Sequence, residues 1–243
     1  MTSATDVVRR LVQDWLPSVR PVVVGIAGGV ASGKSRLADD VRDALPPVRA
    51  EVVSTDGFLF PNVVLSRRGL QARKGFPESY DAERLRTFLA AVRFGDLPQA
   101  VPTYAHEIYD VADTVRVVDA VDVLVIEGVN VLAIAADLLD VGVYLDAAEE
   151  HLERWYGERF VALCAAAQDD PTSFYRAFAG LTPEAVHALA AQVWRDVNHV
   201  NLRDHIGPSR DAATCVIELD PAHQVRRVTV RDDDATGPRP ARS

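Results

Sequence analysis

Cysteine is scarce: Cys164 and Cys215 are the only two in 243 residues, and no metal-type spacing joins them. A disulfide framework and a cysteine-built metal centre are therefore excluded, and both thiols read as reduced residues of the core. Positive charge is also short, with 26 lysines and arginines against 35 aspartates and glutamates and a formal net charge of -9. Partners that demand a basic surface, nucleic acid in general and anionic membranes, do not fit that balance. No uninterrupted apolar run reaches membrane-spanning length, and the opening MTSATDVVRRLVQDW carries charges where a signal peptide needs its apolar segment. The cytoplasm is the expected location. Internal repeats are lacking too. What is there is a chain 48% hydrophobic, long enough to bury one sizeable core, and one α/β domain over residues 1–231 is the expectation.

The stretch GIAGGVASGKS, from Gly25 to Ser35, organises the rest. Gly28 and Gly33, followed by Lys34 and Ser35, fit the phosphate-binding loop pattern. A polyphosphate has to be wrapped closely by backbone N–H groups, and glycine permits both the approach and the dihedrals. The helix that starts near Gly33 adds its N-terminal amides and partial positive charge. Gly28, Gly29, Val30, Ala31, Ser32, Gly33, Lys34, Ser35 and Arg36 form the candidate nucleotide-binding set. Within it Lys34 reaches the β- and γ-phosphates of ATP and Ser35 sets its hydroxyl on Mg²⁺. An ordinary glycine-rich turn has a similar composition, but PVVVGIA ahead of the loop reads as a buried parallel strand and SRLADDVRDAL behind it as a helix.

Residues 5–16 place Val7, Val8, Leu11, Val12, Trp15 and Leu16 at helical spacing, an amphipathic helix within an N-terminal segment 1–20. AEVVST reads as the second strand, with Asp56 just beyond its C-terminal end, where open parallel sheets hold ligands. Residues 56–81 are a long polar and aromatic excursion, expected as an ordered substrate loop. DAERLRTFLAAVRFG follows as an amphipathic helix with Leu85, Phe88, Leu89 and Val92 on one face and Gly95 at its end. The run VDVLVIEG should be a central strand, and Glu127 at its end either orients water on Mg²⁺ or caps the next turn. A short helix after Asn130, a strand at VGVYLDA and a long helix over AAEEHLERWYGERFVALC come next, with Tyr156 and Arg159 sharing a face. Thr182-Pro183 opens a helix expected to run through AVHALAAQVWRDVNHVNL, Asn198 and Asn201 on one face. ATCVIEL and QVRRVTVR complete the sheet, and residues 232–243, charged and rich in breakers, are an expected disordered tail.

Taken in order, the phosphate loop, STDGFLFPN, RRGLQARKGFPESYD, YAHEIYD, VIEGVNVL, LERWYGERF and NHVNLRDHIGPSR resemble the bacterial type I pantothenate kinases, collinearly from about Val22 to Arg231. The resemblance implies a P-loop kinase fold related to uridine kinase and phosphoribulokinase, a mostly parallel sheet flanked by helices on both faces. It implies transfer of the γ-phosphoryl group of ATP, with Mg²⁺, to the primary hydroxyl of pantothenate at the start of coenzyme A synthesis. By the same resemblance Asp56 accepts or orients the proton of the substrate hydroxyl. Tyr104, His106 and Tyr109 belong to the acceptor pocket, Tyr156 and Arg159 meet substrate or the transferring phosphate, and Asn201 binds substrate. Lys34, Asp56 and Arg159 are then the catalytic set, and Ser35 with Glu127 the metal set. Asn198 is a second amide candidate, Arg210 belongs to the nucleotide side, and a homodimer is implied. Taken singly, these aromatics and asparagines are more often packing residues, and an aspartate before glycine more often a turn former.

The acceptor side departs from the family pattern. Ala105 stands where serine is usual, Glu107 where an apolar residue is usual, Leu163 where an aromatic is usual, and Arg36 replaces the threonine after GKS. A kinase for a nucleoside, a sugar or another small alcohol is therefore the alternative, followed by a nucleotide-binding regulator without turnover.

Overall fold

The computed structural model describes residues 3–18 and 21–231. The chain enters through helix α1 (Ala4–Trp15), whose start is set by Ser3: its hydroxyl accepts a hydrogen bond from the Asp6 amide at 3.0 Å. Val8 and Val12 on its inner face are fully buried, so the expected amphipathic helix is present, one residue earlier than its spacing suggests. Strand β1 (Val22–Gly28) is buried along its whole length and feeds through the phosphate loop into α2 (Lys34–Asp43). After β2 (Ala50–Ser54), the excursion that begins at Thr55 is ordered, with the short helix α3 (Asn62–Arg67) inside it. Asp81 caps α4 (Ala82–Arg93) by accepting from the Arg84 amide, and Leu85, Phe88, Leu89 and Val92 line its buried face as the spacing requires. Burial of such side chains is worth about 1.5–3 kcal/mol each relative to exposure.

Strands β3 (Gln99–Ala105) and β4 (Asp110–Val118) pair with each other as a separate antiparallel ribbon. Then come β5 (Val123–Glu127), α5 (Val131–Ala135), β6 (Val141–Asp146), α6 (Glu149–Ala166), α7 (Pro183–Val193), β7 (Cys215–Leu219) and β8 (Val225–Val230). The main sheet has six strands in the order β2-β5-β1-β6-β7-β8, parallel except for β8. VVVGIAG and VLVIE read as near-continuous apolar runs because strands flanked by helices bury both faces. Among the described residues no helix is long and apolar enough to cross a membrane. The expected tail at 232–243 lies outside the described residues.

Three features of this architecture set up a site. Strands β5 and β6 lie on opposite sides of β1, so the chain forks at the carboxyl end of β1, where a crevice opens. Ser54 and Glu127 are in register as the last residues of β2 and β5, which brings Asp56, two residues on, to the same edge as the phosphate loop. Gly57 lets the ribbon approach: a Cβ there would lie 2.1 Å from the Pro102 carbonyl oxygen.

The helix that begins at Thr182, whose hydroxyl accepts from the Ala185 amide, is not regular to its end. It passes through a π-helical turn at Trp194–Asn198, an α turn at His199–Asn201 and a second π turn at Leu202–Ile206, closed by the Gly207 amide on the Leu202 carbonyl at 2.7 Å. The 3.6-residue pattern carries no mark of such wide turns, which concentrate at functional sites.

Candidate active site

The phosphate loop is held open by its own backbone. Gly28 has φ +147°, Ala31 +64° and Gly33 +90°. A Cβ on Gly28 would sit 2.5 Å from the Leu145 carbonyl oxygen, so no other residue fits there. Lys34, the first residue of α2, is 8% exposed and donates its Nζ to the Gly29 carbonyl at 2.8 Å across the loop. Burial pulls its pKa down, while the carboxylates of Glu127 and Asp56 pull it back up. Glu127 is the reciprocal case. Burial raises its pKa, and Lys34 together with the Ser54 and Ser35 hydroxyls bonded to it opposes the rise.

These neighbours define what the donor end can hold. Among the described residues no cluster of three or more His, Cys, Asp or Glu side chains is arranged to bind a metal by itself. The Ser35 hydroxyl on the Glu127 carboxylate gives two hard oxygens, a donor set that suits Mg²⁺ when phosphates and water complete its shell.

The crevice continues into a cavity of about 240 Å³ lined by Val30, Ala31, Lys34, Ser35, Asp56, Glu127, Tyr104, His106, Tyr109, Tyr156, Arg159 and Asn201, every one a residue singled out in the sequence. Leu163 and Asn198 line it as well. Gly28, Gly29, Ser32 and Gly33 shape the loop behind the wall, and Arg36 is exposed on α2, 3.9 Å from Asp40. Arg210 is ion-paired with Asp146 at 2.9 Å outside the cavity lining. Tyr104 comes from β3 and Tyr109 from the following turn, where its φ of +53° swings it round. Their rings meet edge to face at 6.3 Å, and Phe174 stacks on Tyr109 at 4.6 Å. Burial holds both phenols protonated, with pKa values pushed well above normal. Tyr156 is pushed up to about 12 for the same reason. Arg159 is exposed on α6, and among the described residues it has no carboxylate partner.

Sequence reasoning overlooked Lys74. Its ammonium donates to Asn62 Oδ1 at 2.7 Å and to the Tyr109 carbonyl at 2.5 Å, and lies over the Tyr109 and Tyr104 rings at 4.2 and 5.0 Å. Burial brings its pKa down to about 8, against the pull of Asp110 and Asp56. A signal was present: the chain has two lysines against 24 arginines, and both lysines line this cavity. Tyr80 and Tyr175 also line it.

Comparison with known proteins follows the same direction. No family model matches the chain. The pantothenate kinase of Limosilactobacillus fermentum is 42% identical over 225 residues, 88% of this chain and 73% of that one. The pantothenate kinase of Sorangium cellulosum is 44% identical over 87% of this chain and 73% of its own length. For the pantothenate kinase of Streptomyces coelicolor the figures are 39%, 94% and 76%. Among solved structures, a putative fructose transport system kinase from Silicibacter aligns with TM-score 0.69 at 24% identity, covering 86% of this chain and 95% of that one. D-glycerate 3-kinase from Cryptococcus neoformans aligns at 0.65 and 14%, covering 93% and 99%. At such identities the structural likeness speaks for the fold alone.

Proposed function

Because this chain belongs to the pantothenate kinase family, we propose that it transfers the γ-phosphoryl group of ATP to the primary hydroxyl of pantothenate. The observation that carries this reading is the convergence of Lys34, Asp56, Glu127, Arg159 and Asn201, from five separate stretches of the chain, on one cavity. Ser35 and Glu127 would hold Mg²⁺, and ATP bound with it would supply the transferable phosphoryl group, with ADP as the leaving group. The loop amides and the start of α2 hold the triphosphate, and Lys34 neutralises its charge. Asp56 accepts a hydrogen bond from the alcohol, aligns its oxygen with phosphorus and takes the proton as the new bond forms. Arg159, exposed on α6 and without a carboxylate partner among the described residues, offers planar donors to the charge that gathers on the phosphoryl oxygens.

Lys74 sets a cation at the acceptor end, beside the tyrosines. Pantothenate carries a carboxylate that matches it, whereas a neutral nucleoside leaves the ammonium unpaired and partly desolvated. Tyr104, His106, Tyr109, Tyr156 and Asn201 face the remaining hydroxyl and amide groups. An ATP-fed reaction assigns the protein to the cytoplasm, and a homodimer is part of the same reading, checked by sedimentation. The decisive experiment incubates the purified protein with MgATP and pantothenate, uridine or glycerate and weighs the products. Phosphopantothenate formed in step with ADP is expected. A phosphoryl group found only on another alcohol overturns the acceptor, and ADP release without any phosphorylated alcohol overturns the transferase.

A further inference from the structure

Asn130 lies three residues beyond Glu127, at the start of α5, and is 1% exposed. It does not line the cavity. Its Nδ2 donates to the Gly75 carbonyl at 2.7 Å, and Asn201 donates to the same oxygen at 2.8 Å. The carbonyl has two lone pairs, and the two amides take both. An amide whose nitrogen is committed in this way cannot exchange its ends, so each side-chain oxygen is fixed in direction. Both oxygens are buried and, among the described residues, have no hydrogen-bond partner. Buried polar atoms rarely stay unpaired without a use, and the Asn201 side chain borders the cavity.

We propose that Asn130 is a positioning residue for the acceptor alcohol. By sharing the Gly75 carbonyl with Asn201, it keeps the Asn201 amide oxygen free to accept from the bound substrate and keeps Lys74, next in the chain to Gly75, at its station over the tyrosines. The proposal rests on the kinase reading above. It requires the acceptor to present an N–H or O–H to Asn201, and it leaves the third ammonium hydrogen of Lys74 for an anion, since Asn62 and the Tyr109 carbonyl hold the other two.

The test uses the full chain with Asn130→Ala and Asn130→Asp. Alanine removes the donor, while aspartate keeps the shape and, ionised above about pH 8, has no donor either. With the alcohol that the wild type phosphorylates, both variants should raise the acceptor KM by about tenfold or more at that pH, with the ATP KM unchanged within about twofold. A second readout needs no acceptor. Acetylation of Lys74 by acetic anhydride, followed by peptide mass spectrometry, should show a midpoint at about 8 in the wild type, moving up by about one unit in Asn130→Ala as the side chain regains water. An acceptor KM within about twofold of wild type, a parallel rise of both KM values with a lowered melting temperature, or an unmoved Lys74 midpoint overturns the proposal. A wild type that phosphorylates a different alcohol overturns the pantothenate assignment instead, and both readouts then stand on that alcohol.

Discussion

Residues 28–36 build the donor end of the cavity within one loop and the first turn of one helix, whereas the acceptor end draws Lys74, Tyr104, Tyr109, Tyr156 and Asn201 from stretches far apart in the chain. In the proposed kinase reading the backbone does most of the recognition at the donor end, through three positive φ angles and a run of amides. At the acceptor end side chains do it, and their placement depends on contacts such as the Asn201–Gly75 hydrogen bond across 126 residues. Phosphate recognition by amides tolerates change in side chains, while alcohol recognition by side chains is altered by it. Of the expected departures, Leu163 lines the cavity, whereas half-buried Ala105 and exposed Glu107 lie outside its lining and Arg36 is exposed on α2.

The comparison can be broken most sharply where the two ends meet. Asp56→Asn should lower kcat by about 10²–10⁴-fold while the ATP dissociation constant, measured by calorimetry, stays within about twofold. A comparable loss of ATP affinity would show that the two ends are not separable. Arg159→Ala should cost about 10²–10³-fold in kcat, because one preorganised donor to the phosphoryl oxygens is removed.

Lys74→Met belongs wholly to the acceptor end and should raise the acceptor KM by about 10–100-fold, with little effect on ATP. Lys74 also gives the acceptor end a pH signature. Its ammonium is charged below about 8, so affinity for an anionic acceptor is present at lower pH and falls as pH rises through that value, which steady-state KM profiles will follow. The contribution to stability runs the other way. Between about 8 and the ordinary lysine value of 10.5 the unfolded chain binds a proton that the folded chain has released, so this lysine adds stability as pH climbs through that window. Gly57→Ala, where a methyl group would press on the Pro102 carbonyl, should cost about 1–3 kcal/mol and lower the melting temperature by a few degrees. Smallest of all, Ala105→Ser should change the acceptor KM by less than about threefold, because the site is only half-buried.

The same division governs how much could be read from the chain unfolded on the page. The strand, loop and helix around Lys34 are written locally, in apolar runs, glycines and a helix start, and they appear in the structure where the sequence puts them. Strand ends carry Asp56 and Glu127 to one edge by a rule of parallel sheets. Lys74 was hidden because residues 56–81 have no clean period that says which side chains turn inward. The π turns at 194–198 and 202–206 were hidden because a wider turn leaves the hydrophobic spacing almost unchanged. The double use of the Gly75 carbonyl joins α5, the long loop and the end of the α7 run, and no local pattern encodes three-way contact.

The ribbon of β3 and β4 shares no strand with the six-stranded sheet, yet it delivers Tyr104 and leads into Tyr109. For a duplicated gene this is a ready partition of inheritance. Drift confined to residues 99–118 can retune the preferred alcohol in a descendant lineage, while the apparatus that grips the triphosphate passes down unaltered.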